Sequence, residues 1–149
     1  MASRPHQTNA TRKEPKIMDF EKHMITSLSA LLKEKEHLQL SFYAKLHAGS
    51  ISRPKEYYCF FGLAESDLLI VCYSPLFHKN GFSVRVPFSI NQVKIKKELM
   101  SEKYSLSFRL NNVEHPFEKF KIVVKNEHPK LKAQSQNVAA FISYIEKYA

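Results

Sequence analysis

Seven histidines, two cysteines and a few carboxylates are the side chains of this 149-residue chain best suited to chemistry, and their spacing decides which chemistries are open. His6, His23, His37, His47, His78, His115 and His128 are scattered, with no pair at metal-ligand spacing and no cysteine pair beside them, so a zinc site is not predicted. Cys59 and Cys72 sit inside apolar runs and read as small buried hydrophobes, not as a disulfide framework. Glu34/Glu36 and Glu98/Glu102 lie in charged segments that read as solvated faces. Gly49, Gly62 and Gly81 are unclustered, so no phosphate-cradling loop is expected, and no Gly-x-Ser-x-Gly elbow occurs. The expectation is a non-enzymatic protein with no metal and no small-molecule cofactor.

Positive charge is the remaining chemistry. The net charge is +9, of which residues 1–16 hold +3 through Arg4, Arg12, Lys13 and Lys16 against Glu14. A second series, Lys94, Lys96, Lys97, Lys103, Arg109, Lys119, Lys121, Lys125, Lys130 and Lys132, runs through the later half. Phosphate contacts need such side chains on one face, and exposed aromatics to stack unpaired bases. Most phenylalanines fall on the inward phase of strands, so nucleic acid ranks below a protein partner.

The elements that position these groups follow from periodicity. Residues 1–16 contain two prolines and no large apolar side chain beyond Met1, which predicts a disordered basic arm. Phe20, Met24, Ile25, Leu28, Leu31 and Leu32 then recur at helical intervals, predicting an amphipathic helix within residues 17–36, N-capped by Asp19, with Lys33 and Lys35 near its C-terminal pole. From Leu38 the period switches to two. Strands are predicted through Leu38–Leu46, Tyr57–Phe61, Leu68–Tyr73, Phe82–Ile90, Val93–Ile95, Tyr104–Leu110 and Phe120–Val124, with turns at Ala64-Glu65-Ser66-Asp67 and Asn80-Gly81. Pro87 predicts an edge strand or bulge, and the phase slip from Ile90 to Val93 predicts a bulge or a corner between sheets.

After Pro129, Val138, Phe141, Ile142, Ile145 and Tyr148 form one stripe, with Ser135 able to cap the start. About seven closely spaced strands followed by one helix favour a mainly β, curved antiparallel barrel or sandwich, plugged at its mouth by the final helix. The 44% hydrophobic content suits one core. No run approaches the roughly 20 apolar residues of a membrane span and the N-terminus lacks a signal-peptide core, so a cytoplasmic protein is expected.

The order of strands, the slip after the fourth and the closing helix resemble the pleckstrin-homology (PH) fold. Tyr58-Cys59-Phe60-Phe61-Gly62-Leu63-Ala64-Glu65-Ser66-Asp67-Leu68-Leu69-Ile70 and Val86-Pro87-Phe88-Ser89-Ile90-Asn91-Gln92-Val93-Lys94-Ile95-Lys96-Lys97 look like the bacterial PH-like domains of Gram-positive bacteria and their prophages. The resemblance assigns residues 37–149 to the PH-like domain and leaves the arm (1–16) and first helix (17–36) outside it. It implies a binding module for phosphoinositides, peptides or partner proteins, often one that self-assembles. Lipid-binding relatives grip phosphate with a Lys late in the first strand and a basic-x-basic pair at the second. Lys45, Arg53 and Lys55 stand in that order here, with Pro54 between the pair departing from the usual pattern.

Two functional expectations result. The first is protein–protein interaction or self-association through the unassigned stripe of the first helix, Phe20, Met24, Leu28 and Leu31. The alternative is peripheral contact with an anionic membrane, or binding of another polyanion, through Lys45, Arg53 and Lys55.

Overall fold

The computed structural model describes residues 16–49, 54–72, 82–98, 100, 102–111 and 119–147. The arm before Lys16, the segments holding Pro75, Asn80-Gly81 and Pro116, and Arg53 lie outside the described residues. Helix α1 (Lys16–Ser29) precedes seven strands: β1 (Leu40–Gly49), β2 (Pro54–Ala64), β3 (Asp67–Cys72), β4 (Ser83–Pro87), β5 (Ile90–Lys97), β6 (Lys103–Leu110) and β7 (Lys119–Lys125). Helix α2 (Gln134–Glu146) follows. The strands make one antiparallel sheet in the order β4-β3-β2-β1-β7-β6-β5. The fold is therefore mainly β with two helices, as the periodicity predicts.

Alternation in β1 sends Phe42, Ala44 and Leu46 into the core. Directly paired residues share a face, so Phe61 opposite Phe42 and Cys59 opposite Ala44 join them. Leu106, Phe108 and Leu110 of β6 and Phe120, Ile122 and Val124 of β7 complete the inner layer. Val138, Phe141 and Ile145 of α2 enter the same cluster at helical spacing, and the Phe141 ring lies 4.9 Å from that of Phe42 and 5.8 Å from that of Phe88. The cap of α2 differs from expectation. Ala133 occupies that position with no side-chain cap bond, and Ser135 lies inside the helix.

Pro87 does lie on an edge strand, at the end of β4 opposite Asp67. The phase slip resolves into two features. Phe88 and Ser89 carry the chain from one edge of the sheet to the other, and a bulge between Asn91 and Lys94, with Gln92 at φ 54°, resets the β5 register. The corner thus joins opposite edges of a single sheet, not two separate sheets.

The first helix corrects the sequence reading most. It ends at Ser29 instead of running to residue 36, and Asp19 lies within it, not at its cap. Leu31 N–H bonds Leu28 O and Leu32 N–H bonds Ser29 O, tightening the exit into shorter turns. Lys33 and Lys35 lie beyond the last turn, Lys35 at φ 70°. The stripe is not free for a partner. Met24 (3% exposed) and Leu28 (0%) are buried with Phe60, Ala64, Leu69 and Val71 on the outer face of β2 and β3, and Phe20 and Leu31 pack beside them. Gly62 makes room for this berth, because a Cβ there would stand 2.8 Å from Leu38 Cδ1 and 3.2 Å from Leu28 Cδ1.

An ion-pair network fastens the segment after α1. Arg85 of β4 donates from both terminal nitrogens to Glu36 at 2.5 Å, from Nε to Asp67 at 2.6 Å, and from Nη1 to Leu31 O at 3.2 Å. The hydrogen bond from Arg85, then that from the Lys33 backbone, lowers the Glu36 carboxyl to about 2.

Burying Met24 and Leu28 contributes about 1.5–3 kcal/mol each, a large part of a typical stability of roughly 5–15 kcal/mol. Leu28→Ala is expected to cost about 2–5 kcal/mol in denaturant unfolding. Deleting residues 1–36 should leave a destabilised chain that binds apolar dye, whereas a stable, smaller species would show that the stripe is dispensable. Glu36 stabilises the fold above its ordinary value of 4.5, and that contribution is lost as pH falls from there through about 2. Glu36→Gln should be less stable than the parent at pH 7, with the gap closing over that acid range in urea titrations.

Candidate functional site

The site follows from which residues strand alternation leaves on the outer face. In β6 and β7 the even-numbered residues face the core, so Lys103, Ser105, Ser107 and Arg109 face out, paired in register with Lys125, Val123, Lys121 and Lys119. The bulge in β5 gives Lys94 and Lys96 the same face, opposite Ser107 and Ser105. Across the seam, Val123 pairs with Lys45 and Lys121 with His47. By register the outer face of β5, β6 and β7 carries lysines, one arginine, serines, a valine and Asn91, with no acidic residue in the paired positions. Neighbouring strands stand about 4.8 Å apart, so the directly paired Lys103 and Lys125 lie within one Debye length at physiological salt, about 8 Å. Lys103 stands directly opposite Lys125, an arrangement that destabilises a sheet.

At one side the face runs into a cleft of about 470 Å³. Its walls include Lys45, Lys103, Lys125, Tyr43, Tyr58 and His128. Tyr43 and Tyr58 stack with centroids 6.3 Å apart, Lys45 Nζ lies 5.5 Å from the Tyr58 centroid, and Tyr58 is 40% exposed. The His128 ring is stacked on Phe20 at 5.1 Å. Burial, then Lys130 and Lys125, lowers its pKa.

The cleft exists because β1 and β7 pair only over Lys45–His47 and Lys121–Val123. Past that point the strands part, and the Gln134 side chain (2% exposed) fills the gap. Its Oε1 accepts from Tyr43 N–H at 3.1 Å, while Nε2 donates to Tyr43 O at 2.8 Å and Lys125 O at 3.1 Å. Asn137 donates to Ser41 O at 2.7 Å one turn later. One amide thus supplies the hydrogen bonds that a continued ladder would have made.

Of the predicted anion triplet, Lys45 is on the outer face, Lys55 pairs in backbone register with Ala48, and Arg53 lies outside the described residues. Lys45 belongs with the basic face. Of the helix residues, Phe20 is half-buried against Tyr43, Phe60 and His128, and Met24, Leu28 and Leu31 serve the packing described above. Sequence reasoning found the face's cations as a series and missed their common side. Counting register outward from each hairpin was the signal. It missed Tyr43, Tyr58 and Gln134 altogether.

Among the described residues no group of three or more His, Cys, Asp or Glu gathers as metal ligands, and no helix is long and apolar enough to cross a membrane. No protein-family model matches the chain, and no curated protein matches its sequence.

Gln134→Leu tests the seam. It leaves Tyr43 N–H, Tyr43 O and Lys125 O without that partner, at about 1–3 kcal/mol for each group that water does not reach. A loss of about 2–4 kcal/mol in chemical unfolding is expected, with Gln134→Glu retaining part of it through the acceptor to Tyr43 N–H.

Proposed function

We propose that this chain is a non-enzymatic binding module of PH-like architecture that docks on an anionic phospholipid surface through the outer face of β5, β6 and β7. Three features support the architecture: the strand order, the corner after β4, and α2 packed into the core between Phe42 and Phe88. In this reading α2 plugs the open end of the curled sheet. The family resemblance to bacterial PH-like domains belongs to the same proposal.

The single observation that carries the ligand class is the basic face, whose strand-paired positions hold no acidic residue, with Glu102 and Glu127 only at its rim beside Lys103 and Lys125. Lys94, Lys96, Lys121 and Lys125 are exposed on it, and serine hydroxyls stand between the strands' cations. Lysine ammonium groups are point charges that suit a fluid array of phosphates, where arginine forks would select a fixed one. A sheet face is broad, unlike a cavity for one headgroup. Met100, between β5 and β6, is 98% exposed and offers an apolar side chain for the membrane interface. The burial of Met24 and Leu28 against β2 and β3 speaks against the first expectation, self-association through the α1 stripe.

Vesicle sedimentation tests the reading. The chain should pellet with vesicles containing phosphatidylserine and stay in the supernatant with phosphatidylcholine alone, and the binding should weaken as salt rises. At about 1 kcal/mol for each basic residue near the surface, Lys94→Ser, Lys96→Ser and Lys121→Ser together should cost roughly two orders of magnitude in affinity. Equal binding to both vesicle types, or tighter binding to single-stranded nucleic acid at the same salt, would overturn the lipid assignment.

A further inference from the structure

Cys59 and Cys72 are a cross-strand pair in register on β2 and β3, with sulfur atoms 3.1 Å apart and both thiols free. Cys72 donates its backbone N–H to Phe82 O, toward β4. Its backbone groups therefore face away from β2, and the Cys59/Cys72 pair is of the non-hydrogen-bonded kind, in which Cα atoms approach to about 4.5 Å and side chains come closest. That separation falls within the roughly 4.4–6.8 Å that a disulfide spans, and closing the bond to about 2.05 Å moves the sulfurs by about 1 Å. The pair sits at the end of β3, where Cys72 is its last residue.

We propose that Cys59 and Cys72 form a reversible dithiol–disulfide site, closed by exchange with a low-molecular-weight disulfide. The order of attack follows from access, since Cys72 is 9% exposed and Cys59 is 0%. The Cys72 thiolate attacks one sulfur of the small disulfide, forming a mixed disulfide and releasing one small thiol, which takes up the proton Cys72 lost. Cys59, losing its own proton, then attacks Cys72 Sγ. The Cys59–Cys72 bond forms, the mixed disulfide breaks and the second small thiol leaves with that proton. Two protein thiols are oxidised and one small disulfide is reduced to two thiols. The contact with Cys72, and then burial, push the Cys59 thiol up, so Cys59 is the poorer first nucleophile and acts in the second step, where its target is already 3.1 Å away. Closure locks β2 to β3 beside Tyr58 of the cleft.

The full-length chain, incubated natively with oxidised glutathione and then alkylated in denaturant, should lose two hydrogens in mass, resist alkylation at both cysteines and yield a Cys59–Cys72 peptide on digestion without reductant. Dithiothreitol should reverse all three. Because the cross-link closes a short loop, the melting temperature should rise by about 5–10 °C. Cys59→Ala should trap a single glutathione on Cys72, and Cys72→Ala should accumulate none. Recovery of both cysteines fully alkylated after native oxidation, a glutathione adduct on the parent chain that never resolves, or a disulfide-linked dimer would each overturn the assignment.

Discussion

The chain has two residues, Phe88 and Ser89, in which to travel from the edge strand β4 to the opposite edge strand β5. A flat sheet of seven strands would hold those edges about 29 Å apart, far beyond what two residues span. The sheet must curl until its edges nearly meet. The corner is tied on both sides, by Phe88 N–H to Ser66 O in the β2–β3 turn and by Asn111 N–H to Ser89 O beyond β6. Curling turns one face into an enclosed core and the other into an outer surface. Phe88 itself points into that core, its ring 5.5 Å from Phe108 and 5.8 Å from Phe141.

The outer surface then has two fates. Over β2 and β3 it is apolar, with Phe60, Leu69 and Val71, and α1 covers it. Over β5 to β7 it is basic and uncovered by either helix's apolar stripe. The boundary falls where β1 and β7 part, and there Gln134 substitutes its amide for ladder hydrogen bonds while Tyr43 leans on Phe20 from α1. Helix α2 thus contributes to both surfaces, with Phe141 in the core and Gln134 at the seam.

Much of this was legible in the sequence, and the failures have physical causes. Strand alternation and the two helical stripes are local, so the element order was readable. The helix boundary was not, because Leu31, Leu32 and Leu38 continue an apolar pattern while packing from irregular backbone. The partner of α1 was readable in principle. Cys59-Phe60-Phe61 and Leu68-Leu69-Ile70-Val71 are continuous apolar runs, which signal strands buried on both faces. The turn at Glu65-Ser66 likewise fixes the register that pairs Cys59 with Cys72. Gln134 was not readable, since its role is set by strands whose separation from it depends on the whole curl.

The basic face also bears on stability. Lys103 opposite Lys125, with Lys121, Lys94 and Lys96 nearby, places like charges at distances that physiological salt screens only partly. Each such opposed pair costs the sheet some fraction of a kcal/mol, and the core and the covered face must offset it. Any polyanion that docks there relieves the repulsion as well as making its own contacts, and it binds only the folded arrangement. Under the proposed reading ligand and fold would therefore be linked, in that binding would stabilise the sheet by mass action. Added salt acts on the same repulsion with the opposite consequence for docking, because it relieves the sheet while weakening the attraction that brings the polyanion. The opposed Lys103 and Lys125 thus cost the sheet stability that a docked polyanion would restore.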